Sequence, residues 1–183
     1  MATMKVSKLD AARRQLDGAI QLWFLDGDPV AIHSLACAAH QVIQDIAEQK
    51  GAREYHLEEI TKKIVKPEHV KATIEFVRKP MMFFKHANRD PHAVLEFNPD
   101  LSEAFIFLAI CCLRDIGESS SDVQRAFLNW AQVHNPQMFK SNPFDELTKR
   151  FGVNAIDKVR GVRKSDFLKA TLLAIAEFRA RSR

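Results

Sequence analysis

Glycine and proline are scarce in this chain of 183 residues, six and seven residues respectively. Glycines scattered singly disfavour a phosphate-cradling loop, and neither G-x-x-x-x-G-K nor G-x-G-x-x-G occurs. H-E-x-x-H, C-x-x-C and G-x-S-x-G are absent too, so the common local signatures of zinc hydrolases, dithiol redox sites and hydrolase nucleophiles are missing. Cysteine is limited to Cys37, Cys111 and Cys112. An odd count with an adjacent pair makes no disulfide framework and fits a reducing cytosol, where all three read as small hydrophobes in apolar helical context. Long hydrophobic runs are lacking. The most apolar stretch, Ala104–Leu113, is bounded by Glu103 and Arg114 and falls well short of the roughly 20 residues a membrane span requires. Met1–Asp10 shows no apolar run of the kind that makes a secretory leader. A cytoplasmic chain with no membrane contact is expected.

Strand signals are missing as well, since no run alternates with period two. What is present is helical periodicity, in a chain with an ordinary globular balance of 46% hydrophobic and 27% charged residues. Leu9, Ala12, Leu16, Ile20 and Trp23 form one stripe, opened by Ser7 and Asp10 in the manner of a capping box and closed by Gly27. Asp28-Pro29 is a helix start, and Ile32, Leu35, Ala36, Ala39, Val42, Ile43 and Ile46 continue to Lys50 and Gly51. The short link predicts an antiparallel helical hairpin whose alanines allow close approach.

A short helix over His56–Val65 follows, then one from Pro67 to about Lys79 with Ile74, Phe76 and Val77 as its apolar side; Pro80 interrupts it, and a second helical piece or a kink carries Met81–His86. Asn98-Pro99-Asp100 starts a central helix to Ile116, and Ser121 or Asp122 caps one to His134. A short helix over Pro143–Phe151 and a final one capped by Ser165-Asp166, with Phe167, Leu168, Leu172, Ile175 and Phe178, complete the pattern. The expectation is an all-α bundle of six to eight helices: a main bundle over 1–135 and a basic helical extension over 136–183.

The net charge of +4 is unevenly placed. Ten of the 27 basic residues but only three of the 23 acidic ones lie in Lys149–Arg183, a net of +7, which leaves −3 for residues 1–148. A basic end can attract nucleic acid, with Arg160, Arg163 and Lys164 as candidate contacts, although a solvated helix face has the same composition.

The densest polar segment is Phe83-Phe84-Lys85-His86-Ala87-Asn88-Arg89-Asp90-Pro91-His92. In helical geometry His86 and Asp90 share a face, an arrangement that orients a histidine for acid–base work. His86, Arg89 and Asp90 are therefore candidate catalytic residues, and Lys85 and His92 candidate binding residues. Pro91 favours the competing reading, a turn with Asp90 as its cap. A second constellation, His33, Cys37, His40 and Gln44, lies on one stripe of the second helix. It offers too few ligands for structural zinc by itself and reads as a hydrogen-bonded boundary. No metal or cofactor is expected.

The stretch from Leu9 to about Asn135, with its hairpin, its F-F-K-H-A-x-R-D-P segment and its F-N-P helix start, resembles uncharacterised bacterial all-helical proteins, a likeness that implies no activity. The Ala-rich hairpin also resembles the HEPN superfamily, many members of which are RNases. Arg78 to His86 is the nearest match to the HEPN Arg–His motif, and departs from it in spacing and in the Lys79-Pro80 that follows the arginine. The leading expectation is a helical interaction or regulatory module of a bacterial cytosol, assembled as a homodimer. Alternatives are a HEPN-like RNase or metal-assisted phosphodiesterase using His86, Arg89 and Asp90, and nucleic-acid binding through the basic end.

Overall fold

The computed structural model describes residues 3–88, 90–139, 149 and 153–181. They form an all-α fold without strands: α1 (Lys8–Phe24), α2 (Pro29–Gln49), α3 (Leu57–Ile64), α4 (Pro67–Lys85), α5 (Leu101–Asp115), α6 (Asp122–His134), a 3-10 turn (Pro136–Met138), α7 (Val153–Arg160) and α8 (Lys164–Arg181). None of these helices is long and apolar enough to cross a membrane. The helix expected over Pro143–Phe151 falls almost wholly outside the described residues.

Local cap chemistry explains the starts of α1, α2 and α6. Ser7 Oγ accepts the Asp10 amide at 3.0 Å, and Asp28 Oδ1 accepts the Ala31 amide at 2.8 Å with Pro29 in the first turn. Before α6, Ser121 is the cap, and Gln124 answers it in a reciprocal capping box. Gly51, at φ 76°, follows the end of α2, and its amide donates to Glu48 O at 3.0 Å.

Four boundaries differ from the sequence reading. α1 stops at Phe24, and the left-handed position after it belongs to Asp26 (φ 51°), not Gly27. Gly27 is needed for another reason: a Cβ there would sit 3.1 Å from Leu22 O. α4 continues as one helix past Pro80 to Lys85. The ring is buried, and the Phe76 carbonyl that loses its helical donor belongs to an exposed residue that water can serve. Asn98 accepts the Asp100 amide at 3.0 Å, so it caps a lead-in turn and the helix proper begins at Leu101. α8 begins at Lys164, because the Arg163 carbonyl already accepts the Phe167 amide at 2.9 Å.

The chain divides into two compact units. The first holds residues up to Trp23 and Gly27–Ser120. In it α1 turns back as α2 in the expected hairpin: a Cβ on Gly18 would lie 3.9 Å from Leu35 Cδ1, and these two positions are equally far from the Asp26-Gly27 turn. Leu16, Ile20, Ile43, Ile106, Ile110 and Leu113 are fully buried. α2 packs more closely on α5 than any other described pair of helices do on each other. Ala36, Ala39 and Ala47 are completely buried, so the alanine face that suggested self-association is used inside the chain.

The second unit takes in Phe24–Asp26 and the chain from Ser121 onward. Its described core is aromatic: Trp130 lies edge-on to Phe24 at 6.1 Å and to Phe167 at 5.1 Å, with His134 stacked on its other side at 3.7 Å. Arg160 Nε donates to Val133 O at 2.9 Å, tying the end of α7 to the end of α6. The stripe expected on α8 is only partly buried. Phe167 and Leu168 are inside, whereas Phe178 is 73% exposed, because the apolar residues of this helix are spread around its circumference.

Candidate functional site

Two histidine-bearing regions of the first unit were candidates, and the fold treats them oppositely. The first is the α2 stripe. His33 is fully buried, with Nδ1 3.1 Å from Ser102 Oγ on α5 and Nε2 3.3 Å from Cys37 Sγ one turn along α2. Thiol, imidazole and hydroxyl in a line resemble a nucleophile, its base and an orienting group. The surroundings oppose that chemistry. Phe84, Phe97 and Phe105 stand edge-on around the His33 ring at 5.9, 4.8 and 5.5 Å, and Cys37 and Ser102 are as enclosed as His33. Burial pushes the Cys37 thiol up to about 12 and the His33 imidazole down to about 4. An activated pair needs the reverse, a thiolate beside an imidazolium. The arrangement is a hydrogen-bonded core.

Further along the stripe, His40 packs edge-on against Phe105 at 5.3 Å. Its imidazole is also lowered to about 4, chiefly by burial, then by the charges of Arg78 and His56. Gln44 Oε1 accepts the Leu57 amide at 3.1 Å and so caps the start of α3. His40 and His56 each keep a buried Nε2 without a hydrogen-bond partner. No group of three or more His, Cys, Asp or Glu side chains among the described residues is placed to hold a metal ion.

The second region is the end of α4. His86 is its C-cap, with extended backbone (φ −132°, ψ 117°), so His86 and Asp90 do not share a helical face. Asp90 accepts the Ala93 amide through its carbonyl at 3.0 Å in a turn. Lys85, His86, Asp90 and His92 are all exposed, and no hydrogen bond or ion pair joins His86 to Asp90. Arg89 lies outside the described residues.

His86, Asn88 and Asp90 nevertheless border one open groove of about 980 Å³. Its other wall is the outer face of α4, with Ala72, Glu75, Phe76, Arg78, Lys79, Met82 and Phe83. Phe76 was expected on the core side of α4 and is 67% exposed, and Met82 is 50% exposed. The inward stripe is instead the half-buried Val77, Met81 and Phe84 with the buried Pro80 beside them, and the half-buried Ile74 lies at its border, lining the groove as well. That stripe could have been read from the sequence, and it leaves Phe76 facing out. Ser102 and His56 carried no such signal, because their roles come from contacts distant in sequence.

In the second unit the candidate basic residues are held by carboxylates. Arg160 lies 3.3 Å from Asp157, Arg163 2.8 Å from Asp166 and Lys164 3.7 Å from Asp26, while Arg179 pairs with Asp122 at 2.7 Å and Arg181 with Glu177 at 3.8 Å. A second groove of about 670 Å³, between α6 and α8, is lined mainly by apolar side chains, with Arg125 and Arg179 among them. No family model, curated protein sequence or solved structure matches the chain.

Proposed function

We propose that this protein is a non-catalytic helical interaction module and that the outer face of α4 is the surface it works through. The observation that carries this reading is the exposed pair Phe76 and Met82 in a groove bordered by residues of both charge signs. Exposed large apolar side chains gathered at one concave place, with a polar rim, favour a docking surface over plain solvated helix. The chemistry expected of an acid–base site is weakly supported beside it, since His86 and Asp90 border the groove without engaging each other. The nuclease reading requires cleavage of RNA or a phosphodiester that His86→Ala abolishes.

The docking reading is tested with an environment-sensitive apolar dye such as bis-ANS, titrated into dilute folded protein. Wild type should enhance its fluorescence, and Phe76→Glu combined with Met82→Glu should reduce the enhancement several-fold while the helical circular dichroism is kept. Equal enhancement in both proteins would overturn the reading.

A further inference from the structure

The charges along the exposed face of α4 are unevenly placed. Glu68 and Glu75 lie toward its N-terminal half with Lys71 between them, and Lys79 and His86 lie toward its C-terminal end, with Arg78 before Lys79 and Asp90 after His86. Ala72, Phe76 and Phe83 run between them on the same side. Steps of three and four residues keep these positions on one face, opposite the Val77, Met81 and Phe84 stripe. Glu68, Lys79 and His86 have no ion-pair partner among the described residues, and Glu75 has only a 3.9 Å approach to the largely exposed Lys71.

A surface on which Glu68 and Glu75 stand toward one end, Lys79 and His86 toward the other, and apolar side chains between can pair these groups with those of a copy turned end for end. We infer that α4 pairs antiparallel with α4 of a second copy of this chain, across a two-fold axis that crosses the exposed face at the level of residue 77. Glu68 and His86 are equidistant in sequence from Val77, as are Glu75 and Lys79, so one rotation brings each acid against the partner's base. The same rotation sets the small Ala72 opposite Phe83 to within one residue, giving the aromatic ring a shallow seat. Antiparallel helices also place opposite macrodipole ends side by side. A two-fold contact must be self-complementary in this way. The partner is another copy because no foreign sequence is needed to satisfy the charges. The alanine face of α2 cannot serve, since Ala36, Ala39 and Ala47 are already buried within the chain.

This inference rests on the docking reading above, and sedimentation equilibrium of the full chain separates the two. Wild type at high micromolar concentration should show twice the chain mass of 20.8 kDa. Lys79→Glu should return it to the single-chain mass by setting acid against acid, and adding Glu75→Lys to that variant should restore the doubled mass. Phe76→Glu, at a position too exposed to threaten folding, should also give the single-chain mass. The inference is overturned by a single-chain mass for wild type, by a doubled mass that survives Lys79→Glu and Phe76→Glu, or by failure of Glu75→Lys to rescue. A single-chain wild type that still binds the dye in a Phe76-dependent way overturns self-pairing and leaves the docking reading standing. One that binds no dye overturns both.

Discussion

The histidines of α2 and the histidine at the end of α4 make the instructive contrast in this molecule. On α2, His33 and His40 are surrounded by phenylalanine rings, and His33 is joined to Ser102 and Cys37. At the end of α4, His86 stands exposed beside Phe76 and Met82 in a groove. The enclosed set has the better geometry for chemistry and the worse electrostatics, because burial suppresses the very charges a dyad would use. The open set lacks reactive geometry and has access. Proximity of reactive groups is therefore a poor guide here, and accessibility is what supports the docking surface proposed on α4.

The contrast breaks most visibly through Phe105, which is 2% exposed and touches both His33 and His40. Phe105→Ala should cost about 3–5 kcal/mol in urea unfolding, whereas Phe76→Ala on the exposed face should stay within about 0.5 kcal/mol, measured on dilute protein. Comparable losses at the two positions would dissolve the distinction.

Acid gives the next effect. His33 and His40 titrate near 4 in the folded chain against 6.5 in an exposed state. The folded values are depressed, so the unfolded chain binds protons first. Stability is fully present above pH 6.5 and is lost as the pH falls from there toward 4, by on the order of 3 kcal/mol for each imidazole. His40→Leu should flatten that acid limb, and it should be close to neutral in stability at pH 7, since it removes a buried nitrogen with no partner. An unchanged slope from pH 7 to 4 in His40→Leu would place the acid sensitivity elsewhere.

Much of the fold was legible in the sequence because its signals are local. Asp28-Pro29 and Ser121 state their helix starts through side chains that reach only three residues. Pro80 misled, because the rule that proline breaks helices says nothing about whether the freed carbonyl can face water. The candidate site was legible only as a location. The break around His86–His92 does border the groove, but the docking strip depends on which side of α4 meets α2 and α3, and that is decided by long-range packing. Likewise the closed cage around His33 draws its rings from α4, from α5 and from the segment that joins them, and no single stretch of sequence announces it.

The most direct test of the contrast is acylation of the seven histidines in dilute native protein with diethyl pyrocarbonate, read by peptide mass spectrometry. His86 and His92 should be modified rapidly, and His33, His40 and His56 should remain unmodified until the chain is unfolded. Modification of His33 or His40 as fast as His86 in the folded protein would show that the α2 column is open to solutes, and would contradict the docking surface proposed on α4.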